Sequence, residues 1–200
     1  QVPLLTREQE VEISKRIEEA EIATTGMFNR LGCAPDAYLG VIERLELGKE
    51  RFDRIVSDKH VECREDYFND LPKVLRGIER NHELKQKYFH DFHTAKKGSD
   101  AEKKAEVMFE KAQNRLSEYF KQLHFKQKAI EDIIPSVDKQ YHKMKHLLQE
   151  VARLKKSRAK NAASDLRAVR KEIRELEAYL QIEQREFMEK HAELRIWLRK

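Results

Sequence analysis

Apolar positions along this chain recur at steps of three and four residues, the period of one face of an α-helix. Val11, Ile13, Ile17 and Ala20 outline a first amphipathic helix over about residues 7–23. Thr24, Thr25 and Gly26 then weaken helix formation. Pro35 suits the first residue of a second helix, Tyr38, Val41, Ile42 and Leu45 give it a buried stripe, and Gly48 is placed to end it. Phe52, Ile55 and Val56 mark a short third helix, and His60 to Asp66 reads as a connector. Pro72, following Asn69 and Asp70, predicts another helix start. Its face begins with Leu71, Val74, Leu75 and Ile78 and continues through Tyr88, Phe89 and Phe92 to a polar, glycine-bearing turn at Ala95–Asp100.

Beyond that turn the pattern becomes regular. Ala105, Phe109, Ala112, Leu116, Tyr119 and Leu123 form one stripe, and Ile130, Ile134, Val137, Tyr141, Met144, Leu148 and Val151 form the next. Pro135 falls inside the second stripe, where it kinks one helix or splits it with Ser136 as the cap of the second half; the unbroken register favours the kink. Lys160 to Ser164 reads as a turn. Leu166, Val169, Ile173, Leu176, Leu180, Phe187, Leu194 and Leu198 then trace a final helix of more than thirty residues, with packing broken where Glu183 and His191 occupy the stripe. Nothing alternates as a half-buried strand does. The expected fold is all-α, an irregular bundle of about six helices with long antiparallel members.

Composition supports this. Six Gly and four Pro in 200 residues leave room for long helices, and 40% hydrophobic residues supply an extended core. The formal charge of +5 says little, because 41 basic residues nearly balance 36 acidic ones; only local patches carry information. Two cysteines, Cys33 and Cys63, make no disulfide framework and read as reduced thiols of a cytoplasmic protein. No run approaches the roughly 18 apolar residues of a membrane span, and no signal-peptide pattern occurs. A start on Gln1 and an end inside a helical pattern at Arg199-Lys200 suggest a piece of a longer protein.

Candidate chemistry is sparse. His142 and His146 share a helix face, but Lys143 stands where a zinc protease needs its glutamate, and Lys145 adds opposing charge. His60 with Cys63 and His90 with His93 are isolated pairs. Glu8, Glu10 and Glu12 read as a solvated face. No glycine-rich phosphate loop, nucleophile elbow or cofactor fingerprint occurs, so no enzyme, cofactor, metal or small-molecule substrate is expected. The densest basic segment comprises Arg153, Lys155, Lys156, Arg158, Lys160, Arg167, Arg170 and Lys171 against one acid, Asp165. It is suited to DNA phosphates or to an acidic protein surface, although no interleaved aromatics accompany it and a solvated helix end explains it too.

The most specific stretch is the beginning. Thr6 can cap a helix and Gln9 can close a capping box, while Glu8 and Glu10 sit in the first turn where the helix dipole favours negative charge. Leu4-Leu5-Thr6-Arg7-Glu8-Gln9-Glu10 through Lys15-Arg16-Ile17-Glu18 resembles region 1.2 of the bacterial primary (housekeeping) sigma factors of the sigma-70 family, promoter-recognition subunits of RNA polymerase. Ser14 stands where the family usually has Ala, a small-for-small exchange. Tyr38 to Val56 looks like the second half of that region and the segment after it. Leu116-Ser117-Glu118-Tyr119-Phe120-Lys121-Gln122-Leu123 with Lys128-Ala129-Ile130 is similar to a segment of the long helical insertion, the nonconserved region, and Ala192-Glu193-Leu194-Arg195 would lead toward region 2.1.

The resemblance implies two parts, a region 1.2-like segment over residues 1–60 and a nonconserved-region domain over 61–200. It implies that region 1.2 aids promoter opening, with Arg7, Lys15 and Arg16 near the nontemplate strand, and that the insertion contacts core polymerase through the β′ subunit. The regions that bind core and melt the −10 element would lie outside this chain. A rival reading is a structural or scaffolding protein whose long amphipathic helices pair with a partner.

Overall fold

The three- and four-residue periodicity resolves, among the described residues, into nine α-helices and one 3-10 turn in a computed structural model that describes residues 6–158 and 161–199. In chain order these are α1 (Arg7–Asn29), α2 (Ala34–Glu46), α3 (Phe52–Ile55), the 3-10 turn (Asp58–His60), α4 (Arg64–Thr94), α5 (Asp100–Gln122), α6 (Gln127–Ile133), α7 (Ser136–Lys156), α8 (Ala162–Leu180) and α9 (Gln184–Trp197). The helices outnumber the six or so expected, chiefly because the chain divides near Pro135 and again between α8 and α9. No strand forms among the described residues; one isolated antiparallel bridge, Val56 to Phe125, ties the end of α3 to the α5–α6 connection.

Helix boundaries follow local chemistry at several points. Pro35 sits in the first turn of α2, and Gly48, at φ 66°, closes its far end as Lys49 N–H donates to the Arg44 carbonyl. Ser99 caps α5 by accepting from Glu102 N–H, just after Gly98 turns the chain at φ 77°. That turn folds α5 back along α4, the most extensive helix pairing in the fold. Tyr67 meets Leu123, Gly77 meets Tyr119 and Lys85 meets Phe109, so the partners descend along α5 as they ascend along α4 and the pair is antiparallel.

Elsewhere tertiary packing overrides the local signals. α1 runs on through Thr24, Thr25 and Gly26, because Thr24 is buried with its hydroxyl on the Ala20 carbonyl and Phe28 is sealed from solvent one turn later. α4 begins at Arg64, well before Pro72, which is accommodated inside the helix on its exposed side. Its first turns are anchored from outside: Tyr67 packs edge-on to Phe52 at 5.1 Å and its hydroxyl donates to the Leu123 carbonyl. At Pro135 the helices separate, although Ile134 and Pro135 both keep right-handed backbone and the apolar stripe passes straight through. Ser136 makes no cap.

The single long terminal helix does not form. Gln181 adopts a left-handed conformation (φ 54°, ψ 40°) and ends α8; Glu183 precedes α9. The cause is distant in sequence. Gly32 N–H donates to the Leu180 carbonyl at 2.7 Å, and a Cβ at Gly32 would collide with the Tyr179 carbonyl oxygen. Glu177 Oε1 then accepts from Gln184 N–H and serves the new helix start. His191, the other expected weak point, is buried within α9, stacked on Tyr141 at 3.8 Å and bonded to Asp138 at 2.7 Å.

One hydrophobic cluster runs from Phe28 to Leu194 and includes residues of every helix. Tyr38 lies near its centre, stacked on Phe120 at 4.3 Å with its hydroxyl on Asn29 Oδ1.

Candidate functional site

α1 is made of two unlike halves. Its start is locally determined: Gln9 N–H donates to Thr6 Oγ1 and Thr6 N–H donates to Gln9 Oε1, the reciprocal capping box. From Thr6 to Glu19 every residue is exposed. The apolar stripe expected from the sequence is part of this exposed half, with Val11 49%, Ile13 38% and Ile17 50% accessible, so it is not a core face; Ala20 is half-buried. The cap and first-turn acids stabilise the helix start, and the turns between continue a helix anchored at its other end.

Arg7, Lys15 and Arg16 all lie on this exposed half. At about 100° per residue, Arg7 and Lys15 fall within roughly 80° of each other, while Arg16 points to the side opposite Arg7. They do not form one face. They are also outnumbered, since Glu8, Glu10, Glu12, Glu18, Glu19 and Glu21 share α1. A site here would act through particular side chains and not through a net positive field.

The other half of α1 is seated in the α4–α5 hairpin. Lys85, fully buried, donates from Nζ to the Arg30 carbonyl at 2.6 Å and lies 5.3 Å from the Phe109 ring centroid. Gln113, also buried, donates from Nε2 to the Asn29 carbonyl at 2.9 Å. Two carbonyls at the helix C-terminus, which lack partners within the helix, thus receive donors from α4 and α5, one of them cationic, which suits the negative end of the helix dipole. Burial, reinforced by Arg30, pushes the Lys85 ammonium down to about 7. Cys33, next along the chain and buried, has its thiol pushed up to about 12, chiefly by burial, which makes it an inert core group.

Residues 1–21 match the family model described as sigma-70 factor, region 1.2. The match therefore covers the capping box and the exposed half of α1 and stops where the helix enters the core. It supports a sigma-70-family factor, a non-enzymatic protein of transcription initiation. That family works with the RNA polymerase core and promoter DNA. Leu4 and Leu5 of the matched stretch lie outside the described residues.

The basic segment falls at the junction of α7 and α8, whose shared groove runs from Leu148 and Glu177 up to Lys155 and Arg170. Arg153, Lys155, Lys156, Arg158, Arg167, Arg170 and Lys171 are all exposed; Lys160 lies outside the described residues. Two of these are engaged: Arg153 with Glu150 at 2.7 Å and Lys171 with Glu175 at 3.6 Å. Lys139, Lys143 and Lys145 are also exposed on α7, with Lys143 and Lys145 on opposite sides of the helix. This surface is separate in sequence from the matched segment and carries the positive charge that α1 lacks.

The histidine pairs take ordinary roles. His60 stacks on His124 at 4.0 Å, and His142 and His146 are exposed on α7. Among the described residues, no group of three or more His, Cys, Asp and Glu is arranged to hold a metal ion, and no helix is long and apolar enough to cross a membrane.

Proposed function

We propose that this chain is part of a bacterial primary sigma factor, comprising a region 1.2 segment (residues 1–60) and the nonconserved helical insertion (61–200), and that it works in the cytoplasm on promoter opening. The single observation that carries this reading is the region 1.2 match, which falls on a capped helix held out from the body of the fold. Exposure on all sides suits a helix that must lie against both DNA and the rest of a polymerase. In this reading Arg7, Lys15 and Arg16 contact the nontemplate discriminator strand individually. The α7–α8 basic surface, Arg153 to Lys171, meets an acidic face of the β′ subunit.

The test is capture of purified core polymerase by the tagged chain. Retention of β′ is expected, and reversal of Arg153, Lys155, Lys156, Arg167, Arg170 and Lys171 to Glu should reduce it about tenfold or more, given several interfacial charge pairs. Absence of β′ retention by the parent chain overturns the core contact.

A second reading rests on the exposed Ile13 and Ile17, one turn apart on one face of α1 and suited to a partner helix in a scaffolding protein. Self-association through α1 measured by sedimentation, together with no capture of polymerase, would favour it.

A further inference from the structure

Between α4, α5 and the α8–α9 junction lies a cavity of about 350 Å³, within the size range of small-ligand sites. Its walls are aromatic: Phe89, Phe92 and Phe109 line it, with the Phe89 and Phe109 ring centroids 6.1 Å apart. Much of its remaining lining is acidic, with Glu106 and Glu110 from α5, Glu183 before α9 and Glu186 inside α9.

These carboxylates are poorly matched by resident cations. Arg30 pairs with Glu110 at 2.6 Å, and the His93 ring stands 3.8 Å from Glu183. Lys85 lies over Phe109 and donates a hydrogen bond from Nζ to the Arg30 carbonyl. Glu106 and Glu186 have no ion-pair partner among the described residues. An independent feature points the same way. Gln113 and Gln181 both line the cavity, 1% and 3% exposed, and each keeps a carboxamide oxygen with no hydrogen-bond donor. Both oxygens are sealed from solvent at the cavity wall, and a buried acceptor left unpaired is unfavourable, so a ligand donor that reaches one after a small side-chain rotation is favoured.

Aromatic faces, carboxylates and unpaired carbonyl oxygens are each complementary to a group that is positive and rich in N–H donors. We propose that this cavity binds an organic cation, an alkylammonium or guanidinium group, presented by a free polyamine or by a basic side chain of a partner. The assignment is independent of the transcription reading, since it uses none of the matched residues and none of the α7–α8 basic surface.

Calorimetric titration of the chain with spermidine, and separately with acetyl-Gly-Arg-Gly-amide, tests it. Saturable one-to-one binding of at least one probe is expected: spermidine alone identifies a free polyamine, the peptide alone a partner side chain, and both the shared chemistry. The Glu106→Gln/Glu183→Gln variant should bind about tenfold or more weakly, whereas Glu12→Gln/Glu172→Gln, which removes equal charge elsewhere, should stay within about twofold. Side-chain amide resonances of Gln113 and Gln181 should shift on binding. No saturable binding of either probe, equal weakening by the two variants, or shifts confined to other residues would each overturn the proposal. Circular dichroism confirms that both variants fold.

Discussion

The two halves of α1 share a helix but not a source of stability. From Thr6 to Glu19 the helix stands on its capping box and first-turn charges, with its isoleucines in water. From Thr24 to Asn29 it is held by Phe28 in the core and, at its end, by Lys85 and Gln113 on its last carbonyls. An amphipathic pattern therefore specifies which side of a helix is apolar, and only tertiary structure decides whether that side is covered. In the segment that matches sigma-70 factor region 1.2, the helix leaves apolar side chains uncovered on an anchored stem.

The contrast is sharpest between Phe28 and Ile17. Phe28→Ala should cost about 3–5 kcal/mol in denaturant unfolding, the range for emptying an aromatic core site. Ile17→Ala should stay within about 0.5 kcal/mol, as expected of a surface position. A cost of more than about 2 kcal/mol for Ile17→Ala would mean that the outer half is packed after all.

Lys85 makes the anchored half sensitive to pH. Its ammonium is pushed down from 10.5 to about 7 on folding, so the unfolded chain binds the proton more tightly and stability rises with pH through that interval. Below pH 7 both states are protonated and the burial cost is constant. Above pH 9 the Cys33 thiol, raised from 9.0 to about 12, acts in the opposite sense, because only the unfolded chain then loses that proton. Between pH 7 and 9 the gain from Lys85 is on the order of 2 kcal/mol, and Lys85→Met should abolish it. A slope that persists in the variant would assign it to another group.

Thr6→Ala should give the smallest effect and the most local one. Loss of the cap costs about 1 kcal/mol of helix stability, expected as faster amide exchange over residues 7–19 with no change in global unfolding. A matching drop in global stability would show that the two halves are energetically coupled.

Legibility in the sequence divides along the same line. The capping box, Pro35, Gly48 and Ser99 are readable because the groups that satisfy each helix end lie within a few residues. The stripes of α2, α4, α5 and α7 are readable because most of their members are buried. Pro72 misleads because the packing that carries α4 past it comes from Phe52 and Leu123, and the α8–α9 break shows in the sequence only as Glu183 on the apolar stripe, because Gly32 imposes it from a distance. The basic cluster is legible as composition, and the structure adds that its described members lie on the two helices that flank one junction. For α1, residue type points to Arg7, Lys15 and Arg16, but their spacing already separates them around the helix. Lys85 and Gln113 do leave a trace. Lys85 continues the stripe of Leu71, Val74, Ile78 and Asn81, and Gln113 sits between Ala112 and Leu116, so a polar residue at a core position is the available signal.

The bond from Gly32 to Leu180 joins the first and last quarters of the chain. On a ribosome adding about 5–20 residues per second, Gly32 leaves the site of synthesis roughly 7–30 s before its partner is made. The α4–α5 hairpin can receive the end of α1 in the meantime, but the seat is finished only when the α8–α9 corner arrives. The order of synthesis thus makes a corner built long after α1 the clasp for that helix.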